Sequence, residues 1–254
     1  MVVIKRILIP ALALLVLASG CGRKVKYDLP VGKSMVYVVT EQPGKEEEGK
    51  VLYSAPVETM EVNLRIKQRL SGNTAVTMTA RPMPGKSHPM FGRDLGKLDI
   101  LIGGNGKLLN VEGMGLPQEI RFFLPEFPVK MKKKAFWTEK IRVRFKSNEI
   151  DADLRHEFLG TREAAGRKCF FFKGTANYAI DEKVVNRDAG VNATLKYNFD
   201  YEENYYFDVG RGYVVKTEIF EKRRRNVIDN LTGRTELDAV DMNRKTLELA
   251  AVED

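Results

Sequence analysis

Met60-Glu61-Val62-Asn63-Leu64-Arg65-Ile66-Lys67 alternates apolar and polar residues without a break. A period of two sends successive side chains to opposite faces, so this stretch predicts a strand with one buried and one wet face. The same period recurs from Lys140 to Lys146, with Ile141, Val143 and Phe145 inward. It continues in Ile150, Ala152, Leu154, His156 and Phe158, set against Asp151, Asp153, Arg155 and Glu157, and again in Ala193, Leu195, Tyr197, Phe199 and Tyr201. Between apolar runs lie Ser71-Gly72-Asn73, Gly104-Asn105-Gly106, Ala165-Gly166-Arg167 and Val209-Gly210-Arg211-Gly212, where Gly and Asn supply the positive φ that hairpin turns need. Long strands joined by tight turns predict a mainly β fold: antiparallel strands in a curved sheet, as a half-barrel or a sandwich. Helical signals are few and short. Leu116 to Leu124 reads as a helix or a crossover ended by Pro125, and Asp238 to Leu249 is ambiguous. Pro43 to Lys50, Pro82 to Pro89 and Val185 to Gly190 read as surface loops.

The strand pattern also repeats on a longer scale. Leu29-Pro30-Val31, a lysine and the run into Met35-Val36-Tyr37 resemble Phe127-Pro128-Val129, lysines and the run into Phe136-Trp137. Each is followed by a long alternating strand, a Gly turn and a second strand, and then by an apolar strand entering a Gly-x-Gly turn. Two related β units are expected, residues 28–126 and 127–254, in one compact region.

The first twenty residues break this pattern. Lys5-Arg6 precedes an apolar run from Ile7 to Ala18, about a dozen residues, the length of an export-signal core and too short to span a bilayer. The run closes at Ala18-Ser19-Gly20-Cys21, which resembles the lipobox of bacterial lipoproteins, although Ala18 stands where Leu is usual. The resemblance implies cleavage after residue 20 and lipidation of Cys21, with residues 21–27 as a tether. Gly22 after the Cys, by likeness to enterobacterial sorting, implies an outer-membrane anchor facing the periplasm. In architecture alone the chain also resembles the lipoprotein-carrier folds, in which a curved antiparallel sheet cradles lipid.

Charge and composition sharpen this. The 254 residues carry 42 Lys and Arg against 34 Asp and Glu, a formal +8. Lys5 and Arg6 leave with the signal, so the mature chain carries 40 bases against 34 acids, +6, divided evenly between residues 21–126 and 127–254. Two cysteines exclude a disulfide scaffold or a multi-Cys metal site. With Cys21 acylated, Cys169 has no partner, and beside Phe170, Phe171 and Phe172 it reads as a small buried hydrophobe. His156 points inward on its strand and His88 lies in a loop; no nucleophile elbow, His-Glu-x-x-His or phosphate loop is present. Asp151 and Asp153 share a wet face but supply too few donors for calcium. Neither enzyme activity, nor a metal, nor a cofactor is expected.

Two basic runs remain, Lys130, Lys132, Lys133 and Lys134, and Lys222, Arg223, Arg224 and Arg225. In an exported chain they read as edge protection or as a surface for anions rather than for nucleic acid. The expected function is therefore that of a membrane-anchored, non-catalytic envelope lipoprotein that binds a lipid or other hydrophobic ligand in a concave sheet. The alternative is an interaction module that docks an envelope protein, or an anionic glycan or lipopolysaccharide, through those bases.

Overall fold

The computed structural model describes residues 24–47, 50–83, 97–113, 120–128, 131, 135–145, 148–186 and 191–254. Twelve strands occupy Ser34–Glu47 (β1), Lys50–Tyr53 (β2), Val57–Leu70 (β3), Asn73–Pro82 (β4), Leu98–Ile102 (β5), Leu108–Gly113 (β6), Phe136–Phe145 (β7), Asn148–Ala164 (β8), Arg167–Asn186 (β9), Val191–Asp208 (β10), Tyr213–Asp229 (β11) and Thr235–Glu253 (β12). They form one antiparallel sheet in the order β6-β5-β4-β3-β1-β12-β11-β10-β9-β8-β7, with short β2 paired to β1. The sheet does not close into a barrel, since β6 and β7 are its two edges.

The described residues of all four alternating stretches lie within strands; the inward residues Met60, Val62, Leu64 and Ile66 of β3 and Ala152, Leu154, His156 and Phe158 of β8 are buried, whereas Val143, Phe145, Ile150, Leu195 and Tyr201 are only partly so. The four Gly turns join β3 to β4, β5 to β6, β8 to β9 and β10 to β11. All four lie at the end of the sheet where the chain enters, called here the near end. At the far end lie the turn of residues 230–233, the end of β1 and start of β2, and the end of β9 and start of β10.

Two expectations are corrected, and one ambiguous stretch is assigned. Pro43 to Lys50 is not a loop, because Pro43 to Glu47 continue β1 between two partners, with Pro43 opposite Asn243 of β12 and Lys45 opposite Leu52 of β2. Pairing on both sides overrides the turn propensity of Pro and Gly there. Asp238 to Leu249 is strand, within β12. Within residues 21–27, expected to be a tether, Val25 and Tyr27 are instead core residues, 3% and 2% exposed. Val185 and Asn186 end β9, and Pro82 ends β4, with Met83 N–H donating to Thr59 C=O; residues 84–89, with His88, and residues 187–190 lie outside the described residues.

Curvature follows from one contact. Phe145 of β7 and Arg223 of β11 are four strands apart, about 19 Å in a flat sheet at roughly 4.8 Å per strand. The guanidinium nevertheless lies 5.6 Å from the Phe145 ring, so the edge of the sheet curls over its own face. Into the near half of that concave face the chain inserts its crossover. Ile120 to Leu124 make a single helical turn, with Phe123 N–H and Leu124 N–H both donating to Ile120 C=O, and Pro125 ends it. Ile120, Phe122, Phe123, Leu124 and Phe127 are buried against β1, β9, β10 and β11. Thr217 Oγ1 donates to Phe122 C=O at 2.8 Å and Tyr27 Oη to Pro125 C=O at 2.9 Å. Gly106 is required beneath this plug: its φ is +89°, and a Cβ there would stand 2.2 Å from Pro125 O.

Candidate functional site

Cross-strand partners share a face, so the registers define rows across the concave surface. One row runs His156, Gly174, Glu203, Ile219, Lys245, Glu41 through β8, β9, β10, β11, β12 and β1. It marks a waist. On the near side the face is a filled apolar core; at the waist it turns polar.

The waist is built around Glu203, which is fully buried. Arg121, from the plug, donates through Nη2 to Glu203 Oε1 at 2.5 Å, and Tyr201 Oη donates to Oε2 at 2.8 Å. His156 Nδ1 lies 3.8 Å from Glu203 Oε1, and its Nε2 lies 3.3 Å from Glu139 Oε2 on β7. Trp137 stacks on the imidazole at 4.8 Å. Gly174 makes this possible by having no side chain: a Cβ would sit 2.8 Å from Glu203 Cγ and 3.1 Å from His156 Nδ1. Burial lowers the affinity of Arg121 for its proton, but the Glu203 charge outweighs it and holds the group a guanidinium. Burial likewise tends to raise the Glu139 carboxyl, yet the His156 hydrogen bond and the Arg121 charge bring it below the usual range. Tyr201 and Tyr205 are pushed far up, first by burial and then by the Glu203 charge, so both stay phenols.

On the far side of the waist two small apolar clusters cover the face. One is Ile141, Ala152, Leu154 and Ala176; the other is Ile180, Tyr197 and Phe199. Around them Val143, Phe145, Ile150, Tyr178, Leu195 and Tyr201 are only partly covered. The adjoining strands carry polar groups in the same rows. Glu221 faces Asn243, Arg223 binds Asp241 at 2.5 Å, and Asn243 Nδ2 donates to Glu41 Oε1 at 2.5 Å. Burial raises the Glu221 carboxyl despite Lys245 and Arg223 nearby. The far half is thus an amphipathic trough, with one wall aromatic and aliphatic and the other charged.

Of the residues singled out in the sequence, Cys21, Lys130, Lys132, Lys133 and Lys134 lie outside the described residues. Lys222, Arg223, Arg224 and Arg225 do not form a joint cationic surface. Consecutive strand residues alternate faces, and carboxylates are held along the run: Lys222 binds Glu46, Arg223 binds Asp241, and Arg224 binds Asp200 at 2.7 Å. Cys169 is fully buried, and burial pushes its thiol up to about 11. Asp151 and Asp153 are exposed. The sequence reading missed Glu139, Glu203 and Gly174, although parity contained the signal. Glu203 follows Tyr197, Phe199 and Tyr201 at an inward position, Glu139 precedes Ile141, and Gly174 follows Phe170 and Phe172. Arg121 had no such signal, since only the crossover brings it to the waist.

No known family matches the chain, and no curated protein matches it. Among solved structures, one from Bacteroides fragilis assigned as an exported protein with a YmcC-like fold aligns over 91% of this chain and 100% of that chain. Its identity is 10% and its TM-score 0.29, too low to carry an argument.

Proposed function

We propose that this protein is an exported lipoprotein, anchored through Cys21 to the outer membrane and facing the periplasm, that holds a hydrophobic or lipid ligand in the far half of its concave face without catalysing a reaction on it. The observation that carries the reading is the incomplete cover of that trough. Val143, Phe145, Ile150, Tyr178, Leu195 and Tyr201 keep apolar surface exposed on the inner face of a sheet whose near half is packed solid. Exposed apolar area gathered in a concavity, with a few polar groups alongside, is the usual composition of a small-ligand site. An acyl chain would lie along Tyr178, Leu195 and Phe199, with its polar end toward Arg223, Asn243 and Lys245.

The ion pairs of Lys222, Arg223 and Arg224 weigh against the alternative of docking through that run, which leaves it resting on Lys130, Lys132, Lys133 and Lys134. Native mass spectrometry of the protein extracted from its own membranes tests the ligand reading: a co-purifying lipid mass is expected, and a bare chain that takes up no added fatty acid or phospholipid would overturn it. For the anchor, Cys21→Ser is expected to move the protein from the membrane to the soluble fraction.

A further inference from the structure

We infer that the near end of the sheet is a second membrane contact, one that seats on anionic lipid headgroups independently of the acyl anchor. The chain enters there. Tyr27 N–H donates to Gly104 C=O in the β5–β6 turn, and Asp28 N–H donates to Gly212 C=O in the β10–β11 turn. Gly104 in turn lies against Gly72 of the β3–β4 turn and the stem of Lys26, so these turns form one surface around the entry point.

That surface has the chemistry of a headgroup contact. Lys24, Lys26, Lys107 and Arg211 are exposed on it, and among the described residues none of them forms an ion pair. Arg69 and Lys33 are balanced by Asp28 and Asp254; the exposed acids Glu126, Glu163 and Glu253 also stand at this end, with the exposed bases Arg162 and Lys168 beside Glu163. Apolar tips project among the bases: Leu70 is 50% exposed, Val31 49% and Val209 44%. Bases that reach phosphates, with apolar tips entering the interface, are the two components of peripheral membrane binding. The far end is different, because its exposed bases share the surface with Asp181, Glu182, Asp229 and Glu236.

The distance available fits. Val25 is already buried, so only three residues lie between it and Cys21, four steps that span at most about 14 Å of extended chain. A Cys21-anchored protein therefore holds its near end against the bilayer, while the far end of β10, 18 residues long, points about 60 Å away. Only this orientation rests on the proposed acylation; the surface itself does not.

The test uses the chain from residue 21, which retains every described residue, with Cys21→Ser so that no acyl group contributes. Its sedimentation with vesicles of phosphatidylglycerol and phosphatidylcholine is compared with that on phosphatidylcholine alone. Salt-sensitive binding to the anionic vesicles is expected, weakened roughly a thousandfold by Lys24→Gln, Lys26→Gln, Lys107→Gln and Arg211→Gln together, and unchanged by Lys183→Gln with Lys196→Gln at the far end. Equal sedimentation on both vesicles, an unaffected quadruple variant, or an equal loss in the far-end variant would each overturn the inference. Absence of an acyl group on native Cys21 would instead strike the anchor and leave this contact standing.

Discussion

Glu203 is the residue on which the interior most depends, because its charge is stabilised wholly by protein groups. Removing one partner of a buried ion pair strands the other, at a cost of about 3–5 kcal/mol. Arg121→Met is therefore expected to lower the denaturant midpoint sharply, and Arg121→Met with Glu203→Gln to recover much of the loss. Gly174→Ala should cost about 1–3 kcal/mol through crowding of Glu203 and His156. Two carboxyls of this interior have opposite pH signatures. Glu139, lowered in the fold, contributes stability at neutral pH that is lost as pH falls below the ordinary carboxylate range, near 4. Glu221, raised in the fold, favours the native state while protonated and disfavours it as pH rises through its elevated value. Glu221→Gln is accordingly expected to stabilise the protein at pH 8 more than at pH 4, as read from urea midpoints. Cys169, with its thiol near 11 and no exposure, should react with a thiol reagent only after unfolding.

At the scale of elements, the strands and turns were the most legible part of the chain. Strict alternation marked β3, β7, β8 and β10, and the parity of those ladders also fixed which residues face inward, His156 among them. Two things were hidden by long-range pairing. Pro43 to Glu47 and the whole of β12 become strand because β1 and β12 lie side by side, with Ser34 opposite Glu253, a partnership no local pattern announces. The plug was half legible: Pro125 marked its end, but not that Phe122, Phe123 and Phe127 fill the near half of the concave face. Phe123, edge-on to Tyr37 at 5.3 Å, anchors it. Phe123→Ala should cost about 3–5 kcal/mol, read from denaturant unfolding, and should lower the protection of β11 amides from hydrogen exchange, since Thr217 holds the plug from that strand.

For the whole molecule, basic composition suggested a charged patch, and the sheet redistributes it. The run Lys222 to Arg225 is divided between faces and tied to carboxylates, whereas bases far apart in sequence, Lys24, Lys107 and Arg211, meet at the near end. The candidate trough was legible only as aromatic density; that its far half is incompletely covered depends on how far the plug reaches. Trp137, the single tryptophan, stands on this boundary, stacked on His156 at the waist. It offers the most direct measurement of the central claim, energy transfer from Trp137 to a dansyl-labelled fatty acid. Saturable transfer, displaced by unlabelled fatty acid and abolished by Tyr178→Asp with Leu195→Asp in a protein that still unfolds cooperatively, is the result expected. Transfer that never saturates, or that unlabelled fatty acid does not displace, would contradict a ligand in the trough.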